Sequence, residues 1–148
     1  GQGIMLAGEC SMLVAAEDAQ FGMTEVKRSM SGAGAWARVT QWIPSKLAVE
    51  MAVTGAPLAA PDAFRVGLVN RLVSNANLIE EAEGLATRVL AVPPLAARAT
   101  MKGIRAAVDE SVSRRLALTP TPPLNDTEDY RESVESFLEK RPPNYRGR

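Results

Sequence analysis

The sequence predicts an α/β fold that is rich in helix, poor in strand, and shaped like the C-terminal part of a larger domain. Three observations lead there. The chain opens on GQGIMLAGE, without an initiator methionine, in what reads as a glycine-rich turn entering a helix. Only three short segments have the character of strands, and so few cannot form a covered sheet alone, because small sheets need more strands or a packed face. Beyond Gly34 the apolar residues fall mostly at helical spacing.

In chain order, the first helix is expected at about residues 3–10, where Ile4, Met5 and Leu6 precede the small pair Ala7-Gly8. Met12 to Ala16 (MLVAA) is a short continuous apolar run, the signal of a buried strand, and Ala19 to Met23 reads as a second extended piece. Ala35 to Ile43 places Trp36, Val39, Trp42 and Ile43 at helical spacing. Pro44-Ser45 then opens a helix to Thr54, with Gly55 as its stop. Pro61 suits the first position of a short helix ending at Gly67, and Leu68 to Val73 reads as a strand. Asn77 is expected to cap a helix with a stripe of Leu78, Ala82, Leu85 and Val89. Pro93-Pro94 breaks it, and another helix follows to about Glu110. Thr119 to Pro123 (TPTPP) is a rigid spacer. A last helix, about Glu128 to Lys140, carries Tyr130, Val134, Phe137 and Leu138 on one face. No internal repeat is visible.

Composition narrows the chemistry. The 148 residues suit one domain, and 46% hydrophobic content is ordinary for a globular protein. Basic and acidic residues, 17 of each, cancel, so no global field points to nucleic acid or an anionic membrane. The apolar runs fall far short of the ~20 residues of a membrane span, and no basic-then-apolar signal segment opens the chain. Cys10 is the only cysteine, which excludes an internal disulfide and fits a reducing, cytoplasmic setting. The chain has no histidine. Ser-His-Asp and Cys-His hydrolases and HExxH zinc enzymes are therefore excluded within it, and one cysteine makes no structural zinc site. Acid–base work falls to carboxylates, lysine, tyrosine or water. Without an activating imidazole, Cys10 is expected to be a small buried residue rather than a nucleophile. Met12, Met23, Met30, Met51 and Met101 read as packing residues. Arg98, Lys102 and Arg105 read as the wet face of a helix.

The order GQGIML, AEDAQFGMTEVK, GAGAWARV, AVEMAVTG, PDAFRVGLVNRLV and FLEKRPPNYRGR resembles the crotonase (enoyl-CoA hydratase/isomerase) family across essentially the whole chain. The resemblance implies a partial ββα spiral, residues 1–74, whose N-terminal part is absent. Residues 75–148 would be a helical oligomerisation region, giving a homotrimer or hexamer. It also implies a coenzyme A thioester substrate, with no tightly bound cofactor and no metal. The thioester carbonyl would become an enolate held by two backbone N–H groups, a preorganised oxyanion hole. By resemblance Gln2 donates one of them; its Cβ then demands a compatible φ. The second donor would lie in sequence absent here.

A hydratase-type member uses two glutamates. The resemblance places the second at Glu25, although the proline usually before it is Thr24, and the first at Met5, whose thioether neither accepts nor gives a proton at neutral pH. Glu9 lies one helical turn below Met5, displaced by ~6 Å, which is large for a catalytic atom. Its other reading is a buried or partner-paired glutamate. For Glu25 the alternative is a solvated loop carboxylate, or one paired with Lys27 or Arg28. The family's G-A-G-G appears as Gly32-Ala33-Gly34-Ala35, one residue early, which implies a one-residue deletion between Arg28 and Gly32. By resemblance Phe137 and Lys140 reach a neighbouring subunit's coenzyme A; the alternatives are core packing for Phe137 and a solvated charge for Lys140.

Single-carboxylate isomerisation of an acyl-CoA is thus favoured over two-glutamate hydration. The rival reading is a non-catalytic acyl-CoA-binding or assembly subunit of the same fold. Because half the oxyanion hole is expected outside these residues, the 148-residue segment alone should turn over neither 2-enoyl nor 3-enoyl thioesters. Turnover of either in a spectrophotometric assay would refute that expectation.

Overall fold

Helices and short strands alternate through the first half of the chain, and among the described residues of the second half the regular elements are helices. The structure, a computed structural model, describes residues 1–117 and 126–146, without the side chains of 110–113 and 115–117. The order is α1 (Gly3–Glu9), β1 (Val14–Ala16), β2 (Gln20–Phe21), a 3₁₀ turn (Glu25–Arg28), α2 (Ala33–Val39), α3 (Ser45–Thr54), β3 (Leu58–Ala59) and α4 (Ala60–Arg65). There follow β4 (Arg71–Val73), a 3₁₀ turn (Asn75–Asn77), α5 (Leu78–Leu90), α6 (Pro94–Ala117) and α7 (Glu128–Glu139). The expected spacer at Thr119–Pro123 and the terminal Arg148 lie outside the described residues.

The strands are shorter than the apolar runs that announced them. β1 pairs in parallel with β4, Val14 opposite Arg71 and Ala16 opposite Val73. Asn70 sets this register: its N–H donates to the Leu13 carbonyl at 2.8 Å, and its Oδ1 accepts from the Leu13 N–H at 2.8 Å. Leu68 and Val69, expected to be strand, instead bury in the core as the approach to β4. β2 pairs antiparallel with β3, a strand of two residues that carries no periodicity to read. Gly22 follows β2 where a side chain has no room, since a Cβ there would lie 3.0 Å from the Pro57 Cα.

The core gathers Ile4 of α1, Ala15 of β1, Trp36 and Val39 of α2, Met51 of α3 and Ala63 of α4 around Met23. The helix stops follow the expected chemistry. Gly55 ends α3 in the left-handed conformation at φ +63°, and α4 begins beside Pro61.

Three expectations are corrected. Asn77 precedes α5 without a side-chain cap hydrogen bond, because it closes a 3₁₀ turn at φ −98°, ψ 1° rather than taking the extended backbone a capping side chain needs. Cys10 is exposed, because α1 ends at Glu9 and leaves it on the outer turn toward β1. The supposed apolar face of α7 is not its packed face: Val134, Phe137 and Leu138 are exposed, while Ser133 and Ser136 are buried. Small hydroxyl residues let α7 approach the Glu25–Arg28 turn closely, where larger ones would hold it off. Of the methionines, Met23 and Met51 are buried, Met30 and Met101 half-buried, and Met12 exposed. No residue of α5 is buried; Leu78 and Leu85 of its predicted stripe are half-covered, while Ala82 and Val89 are exposed.

The chain after α7 turns back along it. Arg141 donates to both oxygens of Glu132, at 2.5 and 2.9 Å, and the Asn144 N–H donates to the same carboxylate at 2.7 Å. At the other end, Thr127 caps α7 by accepting from the Tyr130 N–H at 3.1 Å.

Two measurements check this packing. Met23, 2% exposed, fills the centre of the core, so Met23→Ala should cost about 2–5 kcal/mol in chemical denaturation. The Arg141 guanidinium, helped by the Asn144 N–H, holds Glu132 at about 2, well below the ordinary 4.5. Because the folded value is depressed, the contribution of this clasp is present above pH 4.5 and is lost as pH falls from there through about 2. A carboxyl-carbon NMR titration of Glu132 should show its midpoint near the lower value; a midpoint at about 4.3 would show that the clasp does not hold in solution.

Candidate active site

The glycine turn leads directly into α1. Gln2 stands at its N-cap position with φ −58° and ψ −18°, backbone that any L-residue adopts, so its Cβ imposes no strain. Met5 and Leu6 both donate to the Gln2 carbonyl, at 3.0 and 3.2 Å, while the first N–H groups of a helix have no partner within it. The terminal ammonium of Gly1 donates to the Gly22 carbonyl.

Gln2, Met5 and Glu9 line one groove of about 500 Å³ together with Gly34, Ala35 and Arg38. The structure therefore brings the glycine turn, the substituted glutamate position and the GAGA segment to one place. Glu25 is not among that groove's lining residues. Glu9 enters it as a paired group: its Oε1 lies 3.1 Å from Arg38 Nε, and Arg38 Nη1 lies 2.5 Å from Asp109. The hydrogen bond that Arg38 donates to Asp109, with the charge of Glu9, pushes the Arg38 guanidinium above its ordinary value. This is the partner-paired reading of Glu9, and it joins α1, α2 and α6.

Glu25 heads the 3₁₀ turn and is half-buried. Its Oε2 is buried with no hydrogen-bond partner. The neighbouring cations are turned elsewhere. The Lys27 side chain lies across Gly55, its Cε 2.9 Å from where a Cβ would stand, at the C-terminal end of α3, where a positive charge is favoured. The Arg28 guanidinium sits 5.0 Å from the centre of the Phe137 ring. Neither the solvated nor the Lys27- or Arg28-paired reading describes that buried oxygen. After the turn, Ser29 and Gly32 both adopt left-handed backbone, φ +56° and +58°, so the chain doubles back before α2. This is the segment in which the sequence places a deletion.

Beside the turn, Thr24, Lys27, Arg28, Phe137, Arg141 and Tyr145 line a second cavity of about 380 Å³. Phe137 is therefore not core; it is exposed beneath Arg28, and Lys140 is exposed where α7 ends at φ +55°. The basic stripe of α6 is exposed as expected, with Arg105 donating to Ser11 Oγ at 3.1 Å. Sequence reasoning passed over Arg38 and Tyr145. Nothing in periodicity marks Arg38. Tyr145 sits inside the NYRGR tail motif, where only the charges drew attention. Among the described residues no group of three or more Cys, Asp or Glu is placed to hold a metal ion, and no helix is long and apolar enough to cross a membrane.

Comparison with known proteins gives the family and the fold. The family model for enoyl-CoA hydratase/isomerase matches residues 1–148. The chain is similar to the (E)-benzylidenesuccinyl-CoA hydratase of Thauera aromatica, 31% identical over 150 residues, covering 99% of this chain and 59% of that protein. It is also similar to the carnitinyl-CoA dehydratase of Salmonella typhi, 34% identical over 155 residues, covering 100% and 59%. A crystal structure of carnitinyl-CoA hydratase from Mycobacterium avium superimposes with a TM-score of 0.86 at 33% identity, covering 100% of this chain and 59% of that one. Methylmalonyl-CoA decarboxylase shares the fold, with a TM-score of 0.85 at 24% identity, over 100% of this chain and 60% of that one. The chain thus spans about 59% of the length of these relatives. On sequence and fold together, the chain belongs to the enoyl-CoA hydratase/isomerase family, the crotonases.

Proposed function

We propose that the full-length protein acts on an acyl-CoA thioester, with Glu25 as its single acid–base group and the Gln2 N–H as one donor to the thioester oxygen. The observation that carries this reading is the buried, unpartnered Oε2 of Glu25. A polar atom buried without a partner is costly and uncommon in folded proteins, and a catalytic role is one of the explanations for it.

One carboxylate suffices to move a proton between two carbons. In a 3-enoyl thioester the Glu25 carboxylate takes a proton from C2, and the electron pair spreads into a dienolate whose charge rests on the thioester oxygen. Backbone N–H donors hold that charge. The same carboxyl returns the proton to C4, which leaves the 2-enoyl product and restores Glu25. Two-group hydration fits these residues less well, because Met5 occupies the position of the other acid and Glu9 is engaged by Arg38. The names of the relatives, hydratases and a dehydratase, support hydration as the second reading. Phe137 and Lys140, exposed at the end of α7, would reach the coenzyme A of a neighbouring subunit in a homotrimer or hexamer built on α5 to α7. Residues 1–74 would then be spiral core and 75–148 the oligomerisation region.

Purified full-length protein should be assayed on crotonyl-CoA and on 3-hexenoyl-CoA. The isomerase reading expects turnover of the second, and Glu25→Gln should lower kcat by roughly 10²–10⁴-fold. Turnover of crotonyl-CoA alone selects hydration. Full activity in Glu25→Gln removes Glu25 from the chemistry. Coenzyme A binding without turnover of either thioester assigns the protein to the non-catalytic subunits of this fold.

A further inference from the structure

We propose that Tyr145 is a positioning residue for Glu25, acting through the carbonyl of Lys27 at the end of the 3₁₀ turn. The proposal rests on the reading of Glu25 as the acid–base group. A single 3₁₀ turn is a weak support for a catalytic side chain, since its hydrogen bonds are poorly aligned and its last carbonyls have no partner within it. Here the three residues that close the turn are each tied to the C-terminal segment. The Tyr145 hydroxyl donates to the Lys27 carbonyl at 2.8 Å. Arg28 stacks over Phe137 at 5.0 Å. Ser29 Oγ donates to the Asp129 carbonyl at 3.0 Å, at a residue whose left-handed φ of +56° needs outside support.

The tail is built to aim this hydroxyl. The N–H groups on either side of Tyr145 are both anchored on α7, that of Asn144 to Glu132 Oε1 and that of Arg146 to Asp129 Oδ1, each at 2.7 Å. Tyr145 therefore projects in a fixed direction from a segment held before and after it. The residue is 40% exposed, so its hydroxyl does not depend on Lys27 for burial of the side chain. The bond to Lys27 serves the turn, not the tyrosine. A shift of about 1 Å in a reacting group is enough to cost on the order of 10²-fold in rate, so a tether two residues from Glu25 bears on kcat without touching substrate.

The test uses the full-length protein with 3-hexenoyl-CoA and crotonyl-CoA. Tyr145→Phe keeps the ring and removes only the donor. It should lower kcat by about three- to tenfold while KM stays within about twofold. In the Glu25→Gln background it should lower the residual rate no further, because the two groups act as one unit. Amide hydrogen exchange at Met30, whose N–H donates to the Glu25 carbonyl at 3.1 Å, should quicken in Tyr145→Phe. Ser29→Gly, which suits the left-handed backbone and removes the second tether, should behave in the same way and serves if Tyr145→Phe folds poorly. An unchanged kcat, or a raised KM with kcat intact, overturns the proposal. If Glu25→Gln keeps full activity, the catalytic reading and the positioning role fall together, and exchange at Met30 alone then reports whether the tether exists.

Discussion

A carboxylate oxygen buried without a donor forfeits its hydration and receives nothing in return, at a cost of about 1–3 kcal/mol or more for a charged group. Glu25 Oε2 is buried without a hydrogen-bond partner among the protein atoms. Two cations follow it in sequence, Lys27 and Arg28, and neither turns back to pair with it. Lys27 is drawn instead to the end of α3, where Gly55 leaves room for its methylenes, and Arg28 is drawn to the Phe137 ring. A side chain at Gly55 would displace Lys27, and loss of the aromatic ring would release Arg28. The isolation of Glu25 is a property of what surrounds its neighbours.

Similar packing governs Glu9, the other carboxylate near the glycine turn. Arg38 could have left Glu9 free within the groove, but it lies between two carboxylates on two different helices. Gly8 permits this, because a Cβ there would already stand 3.3 Å from the Arg38 side chain. Glu9 thereby becomes part of what holds α1, α2 and α6 together, and Met5, one turn above it, supplies only apolar surface to the groove. On the proposed reading, proton transfer that begins on Glu25 would have to end there as well, a requirement that isomerisation meets more simply than hydration.

Much of the fold was legible because local chemistry decides it. Gly55 as a helix stop, the glycine turn before α1 and the break at Pro93 each depend on backbone preferences that a few residues carry. The strands were legible only as apolar runs. β1 and β4 are three residues each, trimmed by the reciprocal hydrogen bonds of Asn70 with Leu13 across 57 positions, which no local pattern encodes. α7 misled for a related reason. Its large residues share a face, and periodicity assigns such a face to the interior, but the approach to the Glu25–Arg28 turn selected the serines. For the candidate site, Glu25 and Met5 were singled out through motif order. The diversion of Lys27 and Arg28 was not, because it depends on Gly55 and Phe137, residues far along the chain.

The ion pairs of the tail would be poor candidates for stabilising the fold. Exposed pairs contribute about 0–1 kcal/mol, and the Glu132 clasp lies near the surface. Its value is directional. A carboxylate that accepts from a two-pronged guanidinium and from a backbone N–H fixes three points of the tail relative to α7, and bidentate geometry restricts orientation more strongly than it adds energy. Buried Ser133 and Ser136 then set how closely α7 approaches the turn, and Tyr145 spans what remains. Distance is set by small side chains, direction by charge, and the final bond by one hydroxyl. Each of these fails separately, so a tail detached by acid or by mutation would leave the core around Met23 intact while loosening the turn that carries Glu25.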